Sequence, residues 1–122
     1  MSLHFEDLFA LAQRLDAQAR QLTSSNDAGL HEAMLRAAIS RSYYAVFWCG
    51  RRYFETAQPP QRLPRFGAHI ELYTLFANYP AETMKAIARG LEQLRWLRNQ
   101  ADYQPVMSDL ETKTTNALQL AN

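Results

Sequence analysis

Residues 30–56 contain no proline and keep the apolar spacing of an α-helix throughout. The aromatic residues Tyr43, Phe47 and Phe54 widen the apolar face on one side, and Trp48 lies on the other. A helix that is apolar on most of its sides needs neighbours around it, so it is either the centre of a bundle or lies between a bundle and a partner chain. The stripe that defines this helix consists of Leu35, Ala38, Ile39, Ser42, Ala45, Val46, Cys49 and Tyr53.

The rest of the chain divides into further helices at segments rich in turn-forming residues. Apolar spacing predicts a first helix over residues 4–22, and TSSNDAG (residues 23–29) follows as a turn in which Asn26 or Asp27 caps the long helix. The proline-containing segment 58–67 is the longest predicted loop. A third helix is predicted over 68–77 and a fourth over 80–103, with Pro80 in its first turn and Pro105 just beyond its end.

The last helix is predicted from the capping-box spacing of Ser108-Asp109-Leu110-Glu111 and should finish the chain. The fold class is therefore all-α: one domain over residues 1–122, built as an up-and-down bundle of four to five helices. At 122 residues, 48% of them hydrophobic, the chain can bury a core without disulfides or metals.

Composition removes several classes of function. The formal charge is only +1, so any contact with nucleic acid must come from a local cluster of cations. The chain has 11 arginines and two lysines, a bias that suits phosphate recognition and buried ion pairs alike. A single cysteine, Cys49, excludes an internal disulfide and a Cys-based zinc site, and its apolar neighbours suggest a core position. We see no Glu-x-x-His pair for a metal and no glycine-rich phosphate loop, so no metal or cofactor is expected. No secretion signal or membrane span is apparent, which favours a cytoplasmic protein.

The fourth helix carries the most informative polar residues. Its apolar stripe of Met84, Ile87, Leu91 and Leu94 continues into Arg98 and Asp102, which are spaced i, i+4 and can pair. Trp96 and Tyr103 lie together on the opposite, polar face, where two large aromatic rings need a partner or ligand to cover them. Arg98 with Asp102 is then either a buried ion pair that orients the helix end or part of a phosphate site. Two other histidines look unrelated to it: His4 is expected at the surface and His31 at a solvated helix end.

Two segments together resemble the HEPN family (higher eukaryotes and prokaryotes nucleotide-binding). RAAISRSYYAVFWCGR (residues 36–51) is similar to the family's second helix, and LRNQADY (residues 97–103) to its late-helix motif of an arginine followed four to six residues on by a histidine. Gly67-Ala68-His69 matches the position of a histidine that one subgroup carries at the start of its third helix. The resemblance spans most of the chain.

The resemblance implies a homodimer in which arginine and histidine from both protomers cleave RNA without a metal. It also implies a toxin or defence protein, with a small nucleotidyltransferase as antitoxin partner. Arg98 would hold the phosphate, Asn99 and Asp102 would orient it, and Tyr103 would be a hydrogen-bond donor or weak acid–base group. RNA or nucleotide contacts would come from Arg41, His69 and Arg95.

The chain departs from the family motif because no histidine follows Arg98. Tyr103 or Asp102 occupies that place, and neither titrates near neutral pH. His69 is the candidate substitute if the third helix approaches the site. Arg98 and Tyr103 are also about 140° apart on a helical wheel, which suggests that they act together across a dimer. The alternative is a non-catalytic nucleotide-binding or protein-interaction module, in which Arg98 and Asp102 are structural.

Overall fold

The computed structural model describes residues 4–22, 28–57, 63 and 67–122. Within them lie five α-helices and no strand, which confirms the prediction of an all-α protein. None of the described helices combines the length and the apolar character needed to cross a membrane. The helices are α1 (Phe5–Gln21), α2 (Ala28–Glu55), α3 (Ala68–Ala77), α4 (Glu82–Tyr103) and α5 (Leu110–Ala121).

The long helix α2 is the centre of the bundle, because α1, α4 and α5 all pack against it while α3 packs mainly on α4. Its first half follows the predicted stripe, and Leu35, Ala38 and Ile39 are fully buried. Two buried hydroxyl groups fit into this packing through helical carbonyls: Ser42 donates to Ala38 O and Thr114 to Leu110 O.

The second half of α2 departs from the predicted stripe. Cys49 is exposed and Tyr53 is 46% exposed, so the prediction that Cys49 fills the core is wrong. The buried face turns instead towards Gly50 and Phe54, against which α3 places Phe76. Cys49 and Tyr53 line an apolar groove of about 850 Å³ formed by residues of all five helices.

Helix boundaries differ from the prediction at two caps. Pro80 lies before α4, whose N-cap is Ala81, so it is not in the first helical turn. The N-cap of α5 is Asp109 rather than Ser108; it has φ of 52° and no side-chain cap hydrogen bond, so the predicted capping box does not form. The predicted caps Asn26 and Asp27 lie outside the described residues, as does most of the loop 58–67.

Two polar side chains, His31 and Arg36, hold helix ends together. His31 is not a solvated end: its Nδ1 lies 2.6 Å from Ala19 O and its Nε2 lies 3.1 Å from Glu111 Oε1, which joins α1, α2 and α5. Arg36 donates to Ala101 O at 3.0 Å and to Gln104 O at 2.5 Å. It therefore binds the carbonyl end of α4, where the helix dipole also favours a cation.

Candidate functional site

Arg98 lies where the helical wheel placed it, at the inward-facing end of α4, with a side chain only 16% exposed. Its guanidinium carbon is 5.0 Å from the ring centroid of Tyr43 and 5.6 Å from that of Tyr44, both on α2. These are cation–π distances, and partial burial strengthens such contacts. The aromatic rings accept no conventional hydrogen bond, and Arg98 Nε is buried without a partner. The guanidinium is thus held by rings more than by hydrogen bonds.

The predicted pairing of Arg98 with Asp102 is present but loose. Nη1 of Arg98 lies 3.8 Å from Oδ2 of Asp102, longer than a charge-assisted hydrogen bond. Ser40 on α2 donates to the same carboxylate oxygen at 3.5 Å, the long limit of a hydrogen bond. Because Asp102 does not saturate the guanidinium, the pair leaves Arg98 able to bind another anion.

Tyr43 also belongs to a hydrogen-bonded chain that reaches α3 and α4. The Tyr43 hydroxyl is 2.9 Å from His69 Nδ1, and His69 Nε2 is 3.1 Å from Glu92 Oε2. The tautomer that satisfies both contacts carries its proton on Nε2, so that Nε2–H donates to Glu92 and Nδ1 accepts from the hydroxyl of Tyr43. The start of α3 therefore does approach Arg98, since Tyr43 contacts both the imidazole and the guanidinium.

The surroundings favour the neutral form of His69. Burial, the largest cause, lowers the pKa of this imidazole, and the positive charges of Arg95 and Arg98 act in the same direction. The hydrogen bond and charge of Glu92 oppose them. The pKa of Tyr43 is raised by burial, with the charge of Arg98 opposing, so its hydroxyl keeps its proton at neutral pH.

Tyr103 is 71% exposed, and its ring centroid lies 6.0 Å from the guanidinium carbon of Arg98 in the same chain. The helical wheel had suggested that a separation of about 140° would keep the two side chains apart, but within one chain they approach each other. The helix continues through Tyr103 without unwinding, so the length of the two side chains closes the distance. Trp96 is 56% exposed on the neighbouring surface, as predicted for the polar face.

The three remaining predicted site residues lie around the edge of the group of side chains that contacts Arg98. Arg95 has a side chain 38% exposed, with Nη1 3.9 Å from Glu92 Oε1. Asn99 is half-buried beside Arg98 on α4. Arg41 is exposed one turn before Tyr44 on α2, which places it at the rim rather than at the centre.

We define the Arg98 cluster by the residues whose contacts join α2, α3 and α4 here. Tyr43, Tyr44 and Glu92 belong to it, although none of them was among the site residues expected from the sequence. Tyr43 is indeed buried, at 2% exposure, yet it touches both Arg98 and His69. The members are Ser40, Tyr43, Tyr44, His69, Glu92, Arg95, Arg98, Asp102 and Tyr103.

The residue types of this cluster are ones that suit an anion. Two arginines and a histidine converge beside aromatic rings, and both arginines retain exposed surface. Among the residues that the structure describes, no group of three or more histidine, cysteine or acidic side chains is arranged to hold a metal ion. No family model, curated protein or solved structure matches the chain.

Proposed function

We propose that this protein is a HEPN-like helical domain whose Arg98 cluster binds a phosphate group of RNA or of a nucleotide. The observation that carries the proposal is the Arg98 guanidinium, which contacts aromatic rings, makes only a loose ion pair with Asp102 and has a buried Nε without a partner. Arginine binds phosphate through planar, paired hydrogen bonds, and Arg95 one turn earlier supplies a second cation. Tyr103 offers an exposed ring on which a base can stack.

The proposal places the protein in a toxin–antitoxin or defence system, as a homodimer in the cytoplasm with a nucleotidyltransferase as antitoxin partner. Trp96 and Tyr103 support an interaction at this face, because two largely exposed aromatic side chains on one helix expose apolar area that a partner would cover. Sedimentation of the purified protein tests the dimer. Copurification with the product of a neighbouring nucleotidyltransferase gene tests the partner.

The catalytic form of the proposal is a metal-independent endoribonuclease in which His69 replaces the missing histidine. Neutral imidazole would take the proton of a ribose 2′-hydroxyl while that oxygen attacks phosphorus, and Arg98 would stabilise the charge on the phosphoryl oxygens. The 5′-oxygen would leave with a proton from a second donor, for which the candidate is Tyr103, the tyrosine of α4. His69 would have to release Glu92 to expose Nε2 to the substrate.

A non-catalytic binding module is the second candidate, and one observation favours it. Both ring nitrogens of His69 already have partners, and its side chain is only 10% exposed. A general base must reach the proton that it removes. In this form the chain of Tyr43, His69 and Glu92 holds the site together, and turnover is absent.

The test compares Arg98→Ala with Arg89→Ala for binding to a fluorescent single-stranded RNA. Arg89 is a matched control, because it lies on the same helix, has a side chain 61% exposed and pairs with Glu82 at the surface, with Nη2 3.1 Å from Oε1. Removing a charged phosphate donor costs about 1.5–3 kcal/mol, so Arg98→Ala should weaken binding by roughly tenfold to a hundredfold. Arg89→Ala should bind like the wild type.

Folding and catalysis are checked on the same proteins. Circular dichroism and thermal melting exclude a loss of fold, and Arg98→Lys, which keeps the charge but loses the planar donor pair, should bind with intermediate affinity. Equal RNA affinity of Arg98→Ala and wild type would remove this site from consideration. RNA cleavage in EDTA that His69→Gln abolishes supports the nuclease, whereas binding without cleavage supports the second candidate.

A further inference from the structure

We infer that anion binding at the Arg98 cluster is coupled to uptake of one proton by His69, so that the protein binds a phosphodiester more tightly as the pH falls. This inference rests on the proposed function and adds a form of regulation to the same site. The ligand class is a phosphodiester anion, and the proton comes from solvent.

The coupling begins with the positions of the charged groups around His69. Tyr43 faces the imidazole from α2, with ring centroids 5.7 Å apart, and the guanidinium of Arg98 lies over the same phenol ring. From α4, Glu92 contacts Nε2 directly, while Arg95 pairs loosely with Glu92. His69 therefore shares its immediate surroundings with both arginines that would bind the anion.

The charges of these groups balance when His69 is neutral. Arg95 and Arg98 contribute two positive charges, and Glu92 and Asp102 contribute two negative charges. Protonation of His69 changes the sum from zero to +1, and a bound phosphodiester returns it to zero. The anion and the proton thus compensate each other within a partly buried site, where charges interact more strongly than in water.

The direction of the coupling follows from what disfavours the imidazolium before binding. Burial and the charges of Arg95 and Arg98 lower the pKa of His69. An anion placed against those two arginines offsets their repulsion and adds an attraction of its own, so the pKa of His69 rises on binding. Linkage is reciprocal: if the anion favours the proton, the proton favours the anion by the same factor.

The hydrogen bonds can accommodate the added proton without breaking the chain. When His69 is neutral, Nδ1 accepts from the Tyr43 hydroxyl at 2.9 Å. When Nδ1 takes a proton, it becomes the donor and the Tyr43 oxygen the acceptor, while Nε2–H continues to donate to Glu92. The hydroxyl hydrogen of Tyr43 then turns away from the imidazole and is free to bond elsewhere in the cluster.

The experiment measures the dissociation constant of a labelled oligouridylate at pH 7.5 and pH 5.5, at constant ionic strength. Neither uracil nor an internal phosphodiester titrates between these values, so a change in affinity belongs to the protein. Full uptake of one proton gives at most tenfold per pH unit, and partial uptake over this range should give about threefold to tenfold tighter binding at pH 5.5. Constant ionic strength removes the salt dependence of phosphate contacts.

Two variants assign the proton. Whatever its affinity at pH 7.5, His69→Gln should show the same affinity at pH 5.5, so the gain seen in the wild type should be lost. His31→Gln is the matched control, because His31 lies between α1, α2 and α5 and should leave the pH dependence intact. The Cε1–H resonance of His69 provides a second measurement: its titration midpoint should move to higher pH when the oligouridylate binds.

Each outcome bears on a different conclusion. Binding that is independent of pH in the wild type, or a pH dependence that persists in His69→Gln, overturns the coupling and leaves the proposed function standing. A titration midpoint of His69 that is the same with and without the oligouridylate overturns the coupling as well. No binding at any pH overturns the proposed function, and the coupling with it.

Discussion

The replacement Arg36→Ala tests how the end of α4 is held in place. Arg36 on α2 donates to the carbonyls of Ala101 and Gln104, and Nη2 lies 3.4 Å from Pro105 O. These oxygens belong to the last turn of α4 and the residues just after it, which have no further helical donors. The same turn carries Asp102 and Tyr103, so one arginine outside the cluster positions one side of it.

The magnitude follows from the number and kind of bonds lost. A hydrogen bond to a charged donor contributes about 1.5–3 kcal/mol, and the lower end applies here because Gln104 O is exposed. The two short bonds together therefore give a loss of about 2–3 kcal/mol, and the exposed pair with Glu32 adds less than about 0.5 kcal/mol. For a domain of 122 residues this corresponds to a fall in Tm of about 10 °C.

Urea unfolding followed by circular dichroism measures the loss, with Arg52→Ala as the control on the same helix. Arg52 is exposed, so its replacement should change the free energy of unfolding by less than about 0.5 kcal/mol. Arg36→Lys keeps the charge but not the fork of donors, and should lose about half as much as Arg36→Ala. Hydrogen exchange gives a local readout, because the Gln104 amide bonded to Gln100 O should exchange faster in Arg36→Ala. A loss no greater than that of Arg52→Ala would refute the reasoning.

Two further predictions concern packing and pH. A Cβ on Gly50 would lie 2.8 Å from Cε2 of the buried Phe76 ring, so Gly50→Ala should destabilise the protein by about 1–3 kcal/mol. A Cβ on Gly29 would have no atom within 4 Å, so Gly29→Ala should be neutral or stabilise the protein by up to about 1 kcal/mol. Urea midpoints compare the two, and equal effects would contradict the close contact. Folding lowers the pKa of His69, so the unfolded chain takes up the proton first as the pH falls below about 6.5. The contribution of His69 to the free energy of unfolding is therefore complete above that pH and declines below it. Unfolding at pH 7.5 and 5.0 should show a smaller decline in His69→Gln, and an unchanged decline would mean that other groups cause it.

The existence of the five helices could be predicted because it depends on local properties. Apolar spacing and proline positions act over a few residues, and all five predicted segments are helical in the structure. Cap positions were less accurate, since the backbone at Pro80 and Asp109 depends on how the chain enters each helix. The same limit applies to α2, where Cys49 and Tyr53 face an apolar groove that only the arrangement of the neighbouring helices creates.

The candidate site was predictable only along one helix. Periodicity placed Arg98 on the inner face of α4 and Trp96 and Tyr103 at the surface, and the structure agrees. Asp102, expected on the inner face as well, is exposed at the end of the helix. Ile87, expected on the same inner stripe, is 36% exposed because it lines the groove.

Long-range contacts required the tertiary structure. His69 meets Tyr43 across 26 positions and Glu92 across 23, distances over which periodicity carries no information. The prediction that His31 lies at a solvated helix end was wrong for the same reason, because its partner Glu111 is 80 positions away.

The amino-acid pattern of this chain determines the five helices of the described residues, a near-neutral charge and an arginine at the inner end of α4, because each depends on residue type and short spacing. The packing of α2, α3 and α4 decides which groups surround that arginine. It places Tyr43 and Tyr44 against the guanidinium and His69 beside them, and it lets Tyr103 approach Arg98 within one chain. The balance of charge and burial that lowers the pKa of His69 exists only once these helices meet.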